Sequence, residues 1–166
     1  MTEQGRVLRQ ITYTAAMTAI MEAAKFSLNS IANVELITLL VIVFTRRFGW
    51  KMTLAASLLF AVLECMWWGI ATWSAVYFYI WPLLILFTVL VPSSQDPLVY
   101  SILAGAFGLL FGAFCSLFTL VTAGWNAAVA WWIAGIPYDL VHGVSNFVIC
   151  LLLFKPLQKA LSYIHA

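Results

Sequence analysis

Between Lys51 and Lys155 the chain carries neither lysine nor arginine, and its only carboxylates in that stretch are Glu64, Asp96 and Asp139. A soluble fold cannot cover itself with so few charges, whereas a membrane protein requires their absence. Backbone immersed in hydrocarbon must satisfy its own N–H and C=O groups, and long uninterrupted apolar runs do so as helices. Composition agrees: 64% of residues are hydrophobic and only 8% charged, against about 25% charged in a soluble domain. The expectation is an all-α integral membrane bundle, a single transmembrane domain over residues 1–166. The formal net charge of +2 gives no basis for nucleic-acid binding.

Crossing ~30 Å of hydrocarbon takes about 20 helical residues. Measured against that requirement, the apolar runs predict six transmembrane helices near 7–28, 34–45, 52–71, 74–91, 98–121 and 137–154. The cluster Pro92-Ser-Ser-Gln-Asp-Pro97 is a loop by its turn residues. Basic residues gather in cytoplasmic loops. Arg6, Arg9, Arg46, Arg47, Lys51, Lys155 and Lys159 fall on one side if both termini are cytoplasmic, and Lys25 alone falls on the other. The second run is short: twelve residues reach only about 18 Å. The turn Asn29-Ser-Ile-Ala-Asn33 is therefore expected below the outer surface, where non-helical backbone is tolerated if it lines a cavity.

The polar residues that remain within apolar runs are the candidates for function. Pro137 suits a helix start, and Asp139, His142 and Asn146 follow it at spacings of three and four, which puts them on one face. Ionisable and amide groups inside a membrane span are costly unless partnered, so such a stripe reads as a functional site, with a purely structural seam as the bland alternative. At the same depth the topology collects Asn29, Asn33, Glu35, Glu64 and Lys25, together with aromatic residues that include Trp67 and Tyr77. A pocket lined by rings with a few polar groups binds small molecules. The acids outnumber the single lysine, which suggests a neutral or cationic ligand. The apolar connection 122–135 is expected to lie in the interface or to fold over the pocket as a lid. Ala15, Ala19 and Ala23 repeat every four residues on the first helix and suit close helix packing, either internal or against a partner. There is no phosphate-binding glycine loop and no His-Glu-x-x-His pair; the second histidine, His165, lies far from the first at the cytoplasmic end. No metal and no cofactor are expected. The cysteines Cys65, Cys115 and Cys150 stand singly within apolar runs and read as core residues.

Three segments together resemble a known family: the Ala15-x-x-x-Ala19 stripe, Asn33-Val-Glu-Leu-Ile-Thr-Leu-Leu40, and Ile136-Pro-Tyr-Asp-Leu-Val-His-Gly-Val-Ser-Asn146. With six expected spans and cytoplasmic termini, the chain resembles the substrate-binding S component of an energy-coupling factor (ECF) vitamin transporter over essentially its whole length. The resemblance implies a multi-pass protein of a prokaryotic plasma membrane that captures a vitamin or related micronutrient from outside. It implies as partners a transmembrane coupling subunit and two cytoplasmic ATPases, which leaves this chain without enzymatic activity. Ala15, Ala19 and Ala23 would then dock on the coupling subunit, and Asn33, Glu35, Asp139, His142 and Asn146 would line the pocket. A large amide-bearing ligand such as cobalamin is the first expectation, with pyridoxine-like, pantothenate-like and queuosine-precursor ligands open. The alternatives are an intramembrane enzyme using Asp139 and His142 as acid and base, and a structural membrane subunit.

Overall fold

A computed structural model describes residues 2–164. The described residues form seven helices: α1 (Glu3–Leu28), α2 (Ile37–Phe48), α3 (Trp50–Trp68), α4 (Thr72–Leu90), α5 (Pro97–Leu109), α6 (Phe111–Ala123) and α7 (Trp125–Ser162). No strand occurs among them. His165 lies outside the described residues.

The short helix is the centre of the bundle. Residues 37–45 of α2 are all buried, and α2 touches α1, α3, α4, α5 and α7. A helix apolar on every side has to be surrounded on every side, and only neighbours that cross the whole core can do this for α2. It starts three residues later than the sequence suggests and ends three later. Glu35 decides the start by accepting a hydrogen bond from the backbone N–H of Thr38 (2.9 Å), which caps a helix whose own N-cap residue, Leu36, has no side-chain acceptor. Gly49 then turns the chain into α3 in a single residue at φ +86°, a conformation that excludes most side chains.

Among the described residues, four stretches are long and apolar enough to cross a membrane: α3, α4, the α5–α6 pair taken together, and α7. The run expected at 98–121 is interrupted at Leu110 (φ −99°, ψ 2°), which separates α5 from α6. The run expected at 137–154 is only the middle of α7, whose 38 residues would extend about 57 Å. Pro137 does not start this helix but lies inside it, as does Pro156. An internal proline removes one backbone bond, and packing of α7 against both α5 and α6 holds the helix across it. The segment 122–135 is consequently not a lid: beyond Gly124 it is the first part of α7, and Trp125, Trp131 and Trp132 on it are exposed.

Basic side chains close the end of the bundle where α2 terminates. Arg46 donates to the carbonyls of Thr88 and Val91 at the end of α4, and Arg47 donates to those of Leu161 and Ile164 at the end of α7. Each satisfies carbonyls that a helix C-terminus leaves free.

At the α5–α7 seam glycines bring the two helix backbones close together. A Cβ at Gly108 would lie 2.8 Å from the Cα of Gly143, and one at Gly105 would lie 3.3 Å from the Gly143 carbonyl oxygen. Backbone cannot yield as a side chain does, so Gly108→Ala must separate the two helices. The expected cost is roughly 1–3 kcal/mol, read as a lower midpoint in detergent unfolding. An unchanged midpoint would mean that the helices do not meet there.

Candidate functional site

One turn of α7 grips the loop between α1 and α2. His142 Nε2 lies 3.3 Å from Glu35 Oε1, Ser145 Oγ donates to the Asn33 carbonyl (2.9 Å), and Asn146 Nδ2 donates to Thr38 Oγ1 (3.1 Å). These side chains can act together because positions i, i+3 and i+4 share a helix face. The loop complies because Asn33 takes φ +59°, the one positive value at a non-glycine among the described residues. Asparagine enters that region more readily than most residues. The two Glu35 oxygens are divided between these elements, Oε1 facing His142 and Oε2 accepting from the Thr38 N–H.

Opposite the loop stands Lys25, in the last turn of α1, where the helix dipole favours a cation. It forms an ion pair with Glu64 of α3, a fully buried carboxylate. Its Nζ also lies 3.3 Å from the Tyr77 hydroxyl, 4.6 Å from the centre of the Trp73 ring and 4.8 Å from that of Tyr77. A half-buried charge among rings is stabilised by a counter-ion and by polarisable surroundings, and α3 and α4 supply them.

Rings complete the enclosure. Tyr77 and Trp81 of α4 lie 5.4 Å apart, Trp81 is 6.2 Å from Phe111 of α6, and Phe111 meets the His142 ring edge-on at 4.7 Å. Within this frame lies a cavity of about 190 Å³ lined by Lys25, Asn33, Val34, Glu35, Ile37, Tyr77, Trp81, Phe111 and His142. A groove of about 370 Å³ on the α5–α7 face is larger, but residues such as Ile102, Leu109, Val144 and Phe147 make its lining apolar. That groove suits hydrocarbon; the smaller cavity has the chemistry.

Compared with protein families, with characterised proteins and with solved structures, the chain matches none. The site is therefore read from its own geometry.

Of the residues singled out in the sequence, Asn33, Glu35, Tyr77 and His142 line the cavity. Glu64 stands behind it as the partner of Lys25, and Asn146 lies one turn below His142 on Thr38. Asn29 is exposed at the end of α1, and Trp67 is 66% exposed with its ring edge against Phe26. Neither of these two borders the cavity. Ala15, Ala19 and Ala23 are exposed on α1. Trp81 and Phe111 escaped the sequence reading. Trp81 follows Tyr77 by one helical turn, a spacing that could have revealed it, whereas Phe111 reaches the cavity through the break at Leu110, which no residue type announces.

Asp139 has a different task. Its Oδ1 accepts from the backbone N–H of Gly112 (2.9 Å), a donor left free at the start of α6 because Leu110 offers no side-chain cap. Asp139 thus caps a helix to which it does not belong. Asp139→Asn keeps a carbonyl oxygen for that N–H and should melt close to the wild type. Asp139→Leu should lose about 1 kcal/mol, as when a helix cap is deleted. Equal melting of the two variants would remove the capping role.

Proposed function

We propose that the chain is the substrate-binding subunit of an ECF-type importer, which captures a small micronutrient in the cavity between the 29–36 loop and the ring wall. The observation that carries this reading is the cavity itself, which joins an ammonium, a carboxylate, an imidazole and an amide to three aromatic rings at the end of the bundle opposite Arg46 and Arg47. A site of this kind fixes the orientation of a bound molecule. On this reading the chain crosses a prokaryotic plasma membrane six times, with α5 and α6 as one crossing and both termini in the cytoplasm. The cavity then opens to the outside. A transmembrane coupling subunit and two ATPases supply the energy, and the exposed alanines of α1 are the docking face. On this reading the chain carries out no reaction itself; what favours this over an acid–base pair of Asp139 and His142 is that Asp139 does not border the cavity and its Oδ1 is engaged on Gly112.

The cavity sets a size. At about 190 Å³ it lies below the ~300–1,000 Å³ usual for drug-sized ligands. This favours a molecule of one ring or a fused pair over cobalamin.

The test is to purify the protein, identify the small molecule that accompanies it, and titrate that molecule back. Tight, saturable binding without turnover is expected, weakened about tenfold or more in His142→Ala, which removes a hydrogen-bonding and ring contact. No accompanying molecule, together with no binding from a vitamin panel, would defeat the reading. For docking, Ala19→Trp should leave that binding intact and abolish uptake in cells that also express the coupling subunit and ATPases. Loss of binding as well would make the alanine stripe part of the chain's own packing.

A further inference from the structure

The one lysine in the cavity wall is already engaged: Lys25 pairs with Glu64 and also lies within the field of the Glu22 carboxylate, while the His142 ring is taken up by Glu35. A carboxylate or phosphate entering this space would find no spare cation, and bringing it out of water would cost more than polar contacts return. What the walls do offer is hydrogen-bonding capacity. Each Glu35 oxygen already accepts one bond, from the Thr38 N–H or at His142, and a carboxylate oxygen can accept a second. Asn33 is anchored only through its backbone carbonyl, by Ser145. Asn33 is one of the residues that line the cavity, and its side-chain amide has no hydrogen bond among the described residues. The φ of +59° that brings Asn33 to this position is maintained by the same α7 turn that holds Glu35.

A free carboxamide presents a donor and an acceptor side by side, and it is matched at both by a group with the complementary pair, as when asparagine reads the edge of a nucleic-acid base. Glu35, two residues away, takes a further N–H. Tyr77, Trp81 and Phe111 supply ring surface, and a volume of about 190 Å³ suits a ligand of one ring or two fused rings. From this we infer that the cavity takes an uncharged nitrogen heterocycle with an amide-type edge, a ring N–H beside a carbonyl, read by Asn33 and Glu35. The inference rests on the capture reading above and narrows it to a ligand class.

The probes are uracil, hypoxanthine and lumazine, which share that edge, against nicotinate, benzylammonium and indole, which are of similar size and lack it. Calorimetric titration of the detergent-purified protein should show binding by at least one of the first three and weaker or no binding by the others. Asn33→Gly should reduce the affinity for that probe about tenfold or more, the change expected when a bidentate amide contact is lost. Glycine adopts positive φ without strain, so this variant should fold and melt like the wild type, and Glu35→Gln gives a second reduction by a different route. The inference is overturned if no amide-edged probe binds, if a comparison probe binds more tightly than all of them, or if Asn33→Gly leaves the affinity unchanged. In the last two cases the capture reading stands, provided that His142→Ala weakens whichever probe binds. If no probe binds and no molecule accompanies the purified protein, both fall.

Discussion

Three bonds from a single turn of α7 to residues 33–38 determine the arrangement of the site. His142, Ser145 and Asn146 reach Glu35, Asn33 and Thr38 in turn. Without them, the loop would carry unsatisfied carbonyls and a carboxylate over an apolar core, at a cost of kilocalories for each group. With them, the loop is ordered backbone roofing a space that apolar side chains have not filled. The burial of α2 depends on the same contact, because Glu35 and Thr38 lie at its start.

Several polar contacts within this bundle link one helix or loop to another. Lys25 and Glu64 join α1 to α3, Glu35 and His142 join the loop to α7, and Asp139 joins α7 to α6. A buried pair adds little net stability once desolvation is counted, but removing one partner leaves a stranded charge and is strongly destabilising. The pairs therefore act mainly as registration marks, fixing which helix faces which in a bundle where apolar contacts alone would tolerate sliding.

How far the sequence could be read follows from the range of the forces involved. Apolar runs are local signals, and they locate the first four helices to within a few residues at most ends, but they miss the division of 98–121 into α5 and α6 and the twelve residues by which α7 precedes Pro137. The stripe at 139, 142 and 146 is legible as a helical period, and all three residues are buried on α7; Asn33 and Glu35 stand out in the sequence as polar residues beside a short apolar run. What stayed hidden depended on contacts between helices. Pro137 reads as a helix start because its ring suits one, but α5 and α6 hold α7 intact across it. Asp139 sits on the same stripe as His142, yet it is drawn away by an N–H that exists only because α5 and α6 part at Leu110. Trp67 and Asn29 were assigned by depth alone, and depth does not specify direction around a helix.

The break at Leu110 has one more effect. Phe111 is the first residue beyond it, so the angle of its ring is not inherited from α5; it is set at Gly112, where Asp139 holds the backbone. Asp139 and His142 are neighbours on one face of α7, which makes that helix the common datum for both the roof of the cavity and its side wall. Any tilt of α7 would carry the two surfaces together, preserving their spacing while altering how they meet Lys25 across the gap.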